Sequence, residues 1–153
     1  MVQASPEGRA GMTRPVMTCE AVSAYLDAVF PEIHLDGRVF HVEAVGDLTA
    51  RMRLAVGARH LRPGGTISGP TMMTLVDLAL YAAILANVGP VALAVTTSLN
   101  FNFLRKPEPR DLVAECRLLK LGRRLAVGEV SLTSAGSDAV LCHATGTYSL
   151  PDR

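Results

Sequence analysis

The sequence predicts an α+β fold, in which an antiparallel sheet surrounds one long buried helix. A long apolar segment over residues 70–87 has the length and the flanking residues of a helix. After this segment the apolar residues alternate with polar ones, a period of two that is typical of strands. A helix and two strands are predicted before the long helix, and four strands after it. This order favours an antiparallel sheet over alternating βαβ units.

The chain begins with a polar segment that contains proline and glycine. We predict a flexible N-terminal arm over residues 1–16, followed by a single domain over 17–153. Thr18 can cap a first helix over 19–30, because the apolar residues of this segment have helical spacing. Pro31 then ends the helix.

The long helix has clear signals at both ends. Pro70 suits the first helical position, with Ser68 or Gly69 as the cap. The helix is expected to run to about Asn87, and Gly89-Pro90 ends it. Apolar residues lie on nearly all of its sides, so neighbouring elements should cover it.

The remaining segments predict strands and one loop. Residues 93–103 alternate strictly and indicate a half-buried strand, with Thr96 on its polar face. Glycine-containing turns separate the other strands. The predicted ranges are strands over 39–46, 48–56, 111–121, 124–134 and 139–149, and a loop over 57–69.

Composition excludes several classes of function. A net charge of +1 and the absence of Trp argue against a nucleic-acid surface. Three cysteines without metal-ligand spacing indicate reduced thiols in a cytoplasmic protein, and the four histidines also lack the grouping of a metal site. A transmembrane span is not expected, because Gly89-Pro90 breaks the apolar run below the roughly 20 residues that a span requires. Asp77 would also lie near the bilayer centre, at a cost of about 3 kcal/mol.

Asp77 is the only charged residue between Arg62 and Arg105. A carboxylate buried without a partner is costly, so a chain that keeps one either satisfies it or uses it. The glycine-rich segment 60–70 leads into a helix N-terminus, where backbone N–H groups favour anions. This combination indicates an acyl-transfer site, with Asp77 as general base or nucleophile and the Gly69 N–H as oxyanion donor. The alternative is a structural acid that accepts N–H bonds from a neighbouring loop.

The spacing of these two residues predicts a dimer. Gly69 and Asp77 are eight residues apart, which is roughly 12 Å along one helix at 1.5 Å per residue. The two groups of one chain therefore cannot both touch one carbonyl. A working site has to combine Gly69 of one subunit with Asp77 of another.

The residues around Asp77 resemble a motif of the hotdog-fold thioesterases, and most closely of the PaaI-like (phenylacetic acid degradation-type) acyl-CoA thioesterases. The family pattern is His-x-Asn-x-x-Gly-x-x-His-Gly-Gly, then six residues, then Asp. Three further segments, 100–107, 120–126 and 144–148, resemble the strand after the helix, a turn near bound CoA and the closing strand. The motif here reads His60-x-Arg62-x-x-Gly65-x-x-Ser68-Gly69-Pro70, then Thr71 to Val76, then Asp77.

The resemblance implies a hotdog fold and the hydrolysis of an acyl-CoA to a free acid and CoA. It implies no cofactor beyond the CoA of the substrate, and paired sites across a homodimer, with a homotetramer expected. Thr96 falls where family members often carry a hydroxyl that orients the water or the acid. It could equally be a hydroxyl that satisfies its own strand. The motif assigns His60, Arg62 and Gly65 to the substrate.

Two positions depart from the family pattern. Arg62 replaces the usual Asn, either as an anchor for a carboxylate or phosphate or as a solvated loop residue. Ser68 replaces a His and is most simply a helix cap, although its position also makes it a candidate catalytic residue. These departures keep open a non-catalytic acyl-CoA-binding protein. A hotdog hydratase or dehydratase is a further alternative, with His60 as its candidate histidine.

Basic residues near two turns are candidates for binding CoA. Arg105 and Lys106 flank one end of the sheet, and Arg123 and Arg124 lie in a turn. If the two clusters meet, they suit the 3′-phosphate and pyrophosphate of CoA. The alternative is that these side chains are simply solvated.

Overall fold

A computed structural model describes residues 14–35 and 37–152. The predicted arm lies mostly outside the described residues, but the backbone N–H groups of Val16 and Met17 both donate to the carbonyl of Ala86. The helices are α1 (Cys19–Val29) and α2 (Gly69–Val88), with 3₁₀ turns at Pro31–His34 and Ala58–His60. The strands are β1 (Phe40–Gly46), β2 (Thr49–Leu54), β3 (Val95–Phe103), β4 (Leu112–Leu121), β5 (Leu125–Ser134) and β6 (Val140–Ser149).

The strands form one antiparallel sheet in the order β1-β2-β4-β5-β6-β3. Helix α2 packs against β1, β2, β4, β5 and β6, and α1 also contacts it. This arrangement confirms the predicted α+β class and the hotdog fold. The predicted helices and strands agree with the observed ones to within two residues at each end.

Helix α2 begins and ends where the sequence predicts. The Ser68 hydroxyl accepts from the Thr71 N–H, and Gly89, with φ of +100°, ends the helix by donating its N–H to Leu85. Its 20 residues are long and apolar enough to cross a membrane by length and composition. The sequence argument that the run is too short was therefore wrong. However, side chains on every face of α2 are buried in the core.

A pair of glycines brings the sheet close to α2. Gly128 of β5 and Gly146 of β6 are directly opposite each other in the strand register. A Cβ atom at Gly146 would lie 2.5 Å from Leu80 Cδ1, and one at Gly128 would lie 2.7 Å from Leu80 Cδ2. Because both glycines lack a side chain, Leu80 can pack directly on the strands. The distance between α2 and the sheet is fixed at this point, one turn after Asp77.

Strand β3 is an edge strand, and it differs from the expectation in two ways. Most of its residues are exposed rather than half-buried, because β6 pairs with it on one side and no described strand pairs with it on the other. The register with β6 also shifts between Thr96 and Ser98, so that Thr97 is an extra residue in β3. Because of this bulge, the Thr96 side chain points towards α2, on the same face of the strand as Leu99. The prediction that Thr96 shares the polar face with Ser98 was therefore wrong.

Candidate active site

The Asp77 carboxylate is held by two hydroxyl groups. Its Oδ1 atom accepts a hydrogen bond from the Thr96 hydroxyl at 2.7 Å and another from the Tyr148 hydroxyl. The Tyr148 oxygen also lies 3.0 Å from the backbone carbonyl oxygen of Asp77. The side chain of Asp77 is half-buried rather than enclosed, and its donors are hydroxyls of two strands rather than the loop N–H groups of the structural alternative.

The strand register explains why these two hydroxyls meet. Thr96 of β3 and Tyr148 of β6 are direct partners across the sheet, so their side chains leave it on the same face. The bulge at Thr97 places the Thr96 side chain on the face of the sheet that packs against α2. Gly146, two residues before Tyr148 on the same face, lets the helix approach. Sheet pairing and close packing of α2 together place both donors on one carboxylate oxygen.

Tyr148 is a neutral donor in this position. The residue is only 3% exposed. Burial, the charge of Asp77 and the hydrogen bond to it all raise the pKa of the Tyr148 phenol far above its ordinary value. The phenol therefore keeps its proton near neutral pH and donates it to the carboxylate.

An open pocket of about 360 Å³ adjoins this carboxylate. Thr96 and Tyr148 border it on the polar side, and its other walls are largely apolar. A pocket of this kind suits an apolar group attached to a reacting centre beside Asp77. The main apolar and aromatic wall residues are Val29, Phe30, Leu78, Tyr81, Ala94 and Val95.

Gly69 contributes the unused backbone donor at the start of α2. Pro70 has no N–H, the Thr71 N–H bonds to the Ser68 hydroxyl, and the Met72 N–H bonds to the Ser68 carbonyl. Among the described residues, the Gly69 N–H makes no such hydrogen bond. It therefore combines a free donor with the positive end of the helix dipole. This is the chemistry that an oxyanion site requires.

Ser68 has the structure of a helix cap. Its hydroxyl contacts the Thr71 hydroxyl at 2.8 Å and the Thr71 N–H at 3.3 Å, while its own N–H donates to the His60 carbonyl. The hydroxyl is thus occupied by the cap. A catalytic role for Ser68 stays a prediction, and no contact in the structure supports it.

His60 supports the loop and lines a second pocket. The Gly57 N–H donates to its Nδ1 atom at 2.9 Å, and its side chain is buried. Burial, and then the charge of Arg59, lower the pKa of the imidazole, so it is neutral at neutral pH. The pocket, of about 420 Å³, runs along the start of α2 past Pro70, Thr71 and Thr74.

Arg62 and Gly65 shape the turn before α2. Gly64 and Gly65 both have positive φ angles, of +101° and +79°, which explains the glycine pair. The Gly65 N–H donates to the Arg62 carbonyl, and the Arg62 N–H donates to Thr66. The Arg62 side chain is exposed. Substrate contacts by these residues stay a prediction.

The two basic clusters do not meet within one chain. Arg105 and Lys106 follow the end of β3, whereas Arg123 and Arg124 precede β5 at the opposite end of the sheet. The register places Leu125 and Val95 on either side of Ser149, so the second cluster lies beside the start of β3. The two clusters are roughly 30 Å apart, the length of a nine-residue strand. A shared phosphate site is therefore excluded in a single chain.

Sequence reasoning missed Tyr148 as a candidate site residue. The closing segment 144–148 entered the resemblance as a whole, without a role for its tyrosine. Tyr148 lies 71 residues from Asp77, so no local spacing connects them. The available signal is a tyrosine in a strand that otherwise carries small residues at 144–147, where the phenol needs a polar partner.

Comparisons with known proteins identify the family of this chain. The model of the thioesterase superfamily matches residues 64–141. A candidate thioesterase from Silicibacter sp. has 48% sequence identity and a TM-score of 0.82, with 93% of this chain and 96% of that chain covered. None of the curated proteins matches this chain.

Two more distant solved structures share the fold. A mutant of the phenylacetic acid degradation protein PaaI from Thermus thermophilus has 24% identity and a TM-score of 0.64, over 82% of this chain and 97% of that one. A hypothetical thioesterase from Streptococcus pneumoniae, solved with coenzyme A, has 20% identity and a TM-score of 0.66, over 76% and 91%. With its fold, its family match and its 48% identity to a candidate thioesterase, the chain belongs to the thioesterase superfamily and is a thioester hydrolase.

Proposed function

We propose that this protein is a cytoplasmic acyl-CoA thioesterase whose two active sites lie at a homodimer interface. The observation that carries the proposal is the Asp77 carboxylate, with one oxygen held by Thr96 and Tyr148 at the edge of an apolar pocket. The pocket would take the acyl group. The carboxylate would then lie beside the thioester carbonyl.

The position of β3 relative to α2 supports a site shared by two chains. The start of β3 is beside Asp77, through the Thr96 hydroxyl. The end of β3 is beside Gly69, because Phe103 Cζ lies 3.8 Å from where a Cβ of Gly69 would be. One edge strand therefore runs from the carboxylate to the oxyanion donor of the same chain.

Antiparallel pairing of two β3 strands brings the complementary groups together. In such a two-fold pair, the start of one strand faces the end of the other. Asp77 of one subunit then approaches Gly69 of the partner subunit. The edge suits this pairing, because it is unpaired within the described residues and exposes apolar side chains. The exposed apolar residues on and next to β3 are Leu93, Val95, Phe103 and Leu104.

The same pairing unites the two basic clusters. Arg105 and Lys106 of one subunit come to the end of the sheet where Arg123 and Arg124 of the partner subunit lie. Four cations near the mouth of the site suit the 3′-phosphate and pyrophosphate of CoA. The related Streptococcus pneumoniae protein was solved with coenzyme A, which supports this choice of substrate. Association of two such dimers into a homotetramer is expected from the family resemblance.

The proposed reaction uses two groups of the site. Asp77 either takes a proton from a water that attacks the thioester carbonyl, or attacks that carbon itself to give an anhydride that water then opens. In both routes the Gly69 N–H of the partner subunit holds the oxyanion. The tetrahedral intermediate then collapses with cleavage of the C–S bond, which in the second route precedes the opening of the anhydride by water. The CoA sulfur leaves as a thiolate that takes up a proton.

The test is thiol release from a panel of short, long and aromatic acyl-CoAs. We expect wild type to hydrolyse at least one class, and Asp77→Asn to lose at least a hundredfold in kcat, since a positioned base contributes 10²–10⁴-fold. Asp138→Asn is the matched control, because Asp138 is an exposed residue in the turn between β5 and β6.

Two results would contradict the proposal. Full activity of Asp77→Asn would remove the carboxylate from the mechanism. Tight CoA-ester binding by wild type without turnover of any substrate in the panel would instead support the alternative of a binding protein.

A further inference from the structure

We infer that Tyr148 is a positioning residue, whose hydroxyl fixes Oδ1 of Asp77 so that Oδ2 is the oxygen that reacts. This inference rests on the proposed function, in which Asp77 is the base or nucleophile. It adds a residue from the last strand to a site built on α2 and β3. It also assigns different tasks to the two oxygens of one carboxylate.

The hydrogen bonds distinguish the two carboxylate oxygens. Oδ1 accepts from both Thr96 and Tyr148, whereas within the described residues Oδ2 has no hydrogen-bond donor. Rotation of the carboxylate by half a turn would break both bonds and exchange the oxygens. Two donors on one oxygen therefore fix the plane and the direction of the group. The oxygen without a donor is left for water or for the thioester carbon.

Tyr148 is itself held in place. Its ring stacks on Tyr81 with centroids 6.4 Å apart and planes within 7° of parallel, and it is buried between the sheet and α2. It also stands two residues from Gly146, where the helix is closest to the strand. A donor on such a rigid support loses little entropy when it orients the carboxylate. The Thr96 hydroxyl, by contrast, is on an exposed edge strand.

The ionisable neighbours agree with this role. Within the described part of the chain, the titratable groups at the carboxylate are Tyr148 from β6 and, behind it, Tyr81 from α2. The α1 side of the pocket presents apolar Val29 and Phe30. Because burial and Asp77 raise the pKa of the Tyr148 phenol, the phenol stays neutral and favours the charged carboxylate.

The test variant is Tyr148→Phe, which removes one oxygen and keeps the ring. Without this donor the carboxylate is free to turn, so that Oδ2 no longer stays directed at the reacting carbon. We expect kcat at neutral pH to fall about tenfold with KM nearly unchanged, since the ring still forms the pocket wall. A purely structural role would lower the free energy of unfolding but leave the kcat of the folded protein unchanged.

Tyr25→Phe is the matched control. Tyr25 is on α1 and also loses only a hydroxyl. Among the described residues its hydroxyl interacts electrostatically with Tyr81, whereas the side-chain hydrogen bonds of Asp77 come from Thr96 and Tyr148. We expect it to leave both kcat and KM unchanged. Asp77→Asn in the same assay separates the two proposals. If Asp77→Asn is inactive while Tyr148→Phe has the wild-type kcat, the function holds and the inference is overturned.

A spectroscopic measurement decides the inference even without turnover. The carboxylate stretching bands of Asp77, isolated as the infrared difference between wild type and Asp77→Asn, should shift in Tyr148→Phe, because the donor to Oδ1 is lost. If that variant does not fold, wild-type protein made with 3-fluorotyrosine provides the reverse test. Its more acidic phenol is a stronger donor and should shift the same bands in the opposite direction. Asp77 bands that are unchanged in either experiment overturn the inference.

Discussion

At the scale of single residues, the proposed role of Gly69 depends on its N–H rather than on its backbone freedom. It is the first residue of α2, and its φ angle is not among the positive ones of this chain. A positive φ angle is therefore not what requires glycine at this position. What distinguishes the position is a donor left unused at the start of a helix, next to a proline that has none.

This distinction leads to a prediction about two substitutions of Gly69. Gly69→Pro removes the N–H but preserves the helix, because proline suits the first helical position and Ser68 already has the extended conformation that precedes proline. We expect kcat to fall about 10²–10³-fold, as for loss of one oxyanion donor. Gly69→Ala keeps the N–H, and its Cβ would make an ordinary contact with Phe103.

The comparison is made by thiol-release kinetics on proteins whose folding is checked by circular dichroism. Equal losses in Gly69→Pro and Gly69→Ala would attribute the effect to the added side chain. In that case the donor role of the Gly69 N–H would be wrong.

Residue identities could be predicted where the chemistry is local. The cap at Ser68 and the candidate roles of Gly69 and Asp77 follow from short spacings around one helix start. Thr96 was placed by resemblance and does contact Asp77. Tyr148 could not be found in this way, because its partner is brought to it by sheet pairing and helix packing rather than by spacing along the chain.

At the scale of elements, the close packing of α2 on β5 and β6 determines where Asp77 lies. Leu80 follows Asp77 by nearly one turn and fits against Gly128 and Gly146. Helix and strand bounds were predictable because turn residues mark them. The Thr97 bulge was not, since a period of two continues through it in the sequence and only the pairing with β6 reveals the extra residue.

We predict that Gly146→Ala destabilises the protein through Leu80. The new Cβ would be 2.5 Å from Leu80 Cδ1 and 2.7 Å from Leu99 Cδ2, so α2 or the strand must shift, at a cost of about 1–3 kcal/mol. Adding Leu80→Ala should relieve much of this strain. The double variant should then be more stable than the sum of the two single losses implies.

Urea unfolding of the four proteins in this double-mutant cycle measures the coupling. Gly57→Ala is the control for a change from glycine to alanine, because its Cβ would meet nothing closer than 4.0 Å. Strict additivity of the two losses would show that Gly146 and Leu80 do not set the helix position together.

At the scale of the whole molecule, the two parts of the proposed site lie at opposite ends of β3 in each chain. Asp77, Thr96 and Tyr148 form the carboxylate part, and Gly69 is the proposed oxyanion part. The sequence predicted this division from helix length. It could not show which edge would join two copies in the proposed dimer, because exposure of β3 depends on the strand order of the folded sheet.

Mixing two inactive variants tests this division. In a dimer of one Asp77→Asn chain and one Gly69→Pro chain, one site receives both changes and the other receives neither. With random pairing, half of the dimers are mixed and each has one intact site, so we expect about a quarter of wild-type activity. Co-expression with two different affinity tags isolates the mixed dimers, and ultracentrifugation gives their mass.

If both groups of a site came from the same chain, mixed dimers would stay inactive. That result would contradict the shared site while leaving the thioesterase assignment intact. Activity found in a monomeric fraction would also contradict the shared site.

Because Thr97 is an extra residue, the positions of β3 that face the helix change from even-numbered to odd-numbered along the strand. Before it, an even-numbered residue, Thr96, faces the helix; after it, the odd-numbered Leu99, Phe101 and Phe103 lie on that face. The even-numbered position thus serves the carboxylate, whereas the odd-numbered positions place Leu99 and Phe101 against the core and Phe103 beside Gly69. Removing a single residue here would exchange the two faces for one half of the strand. It would leave either the Thr96 hydroxyl or the apolar residues on the wrong side of the sheet.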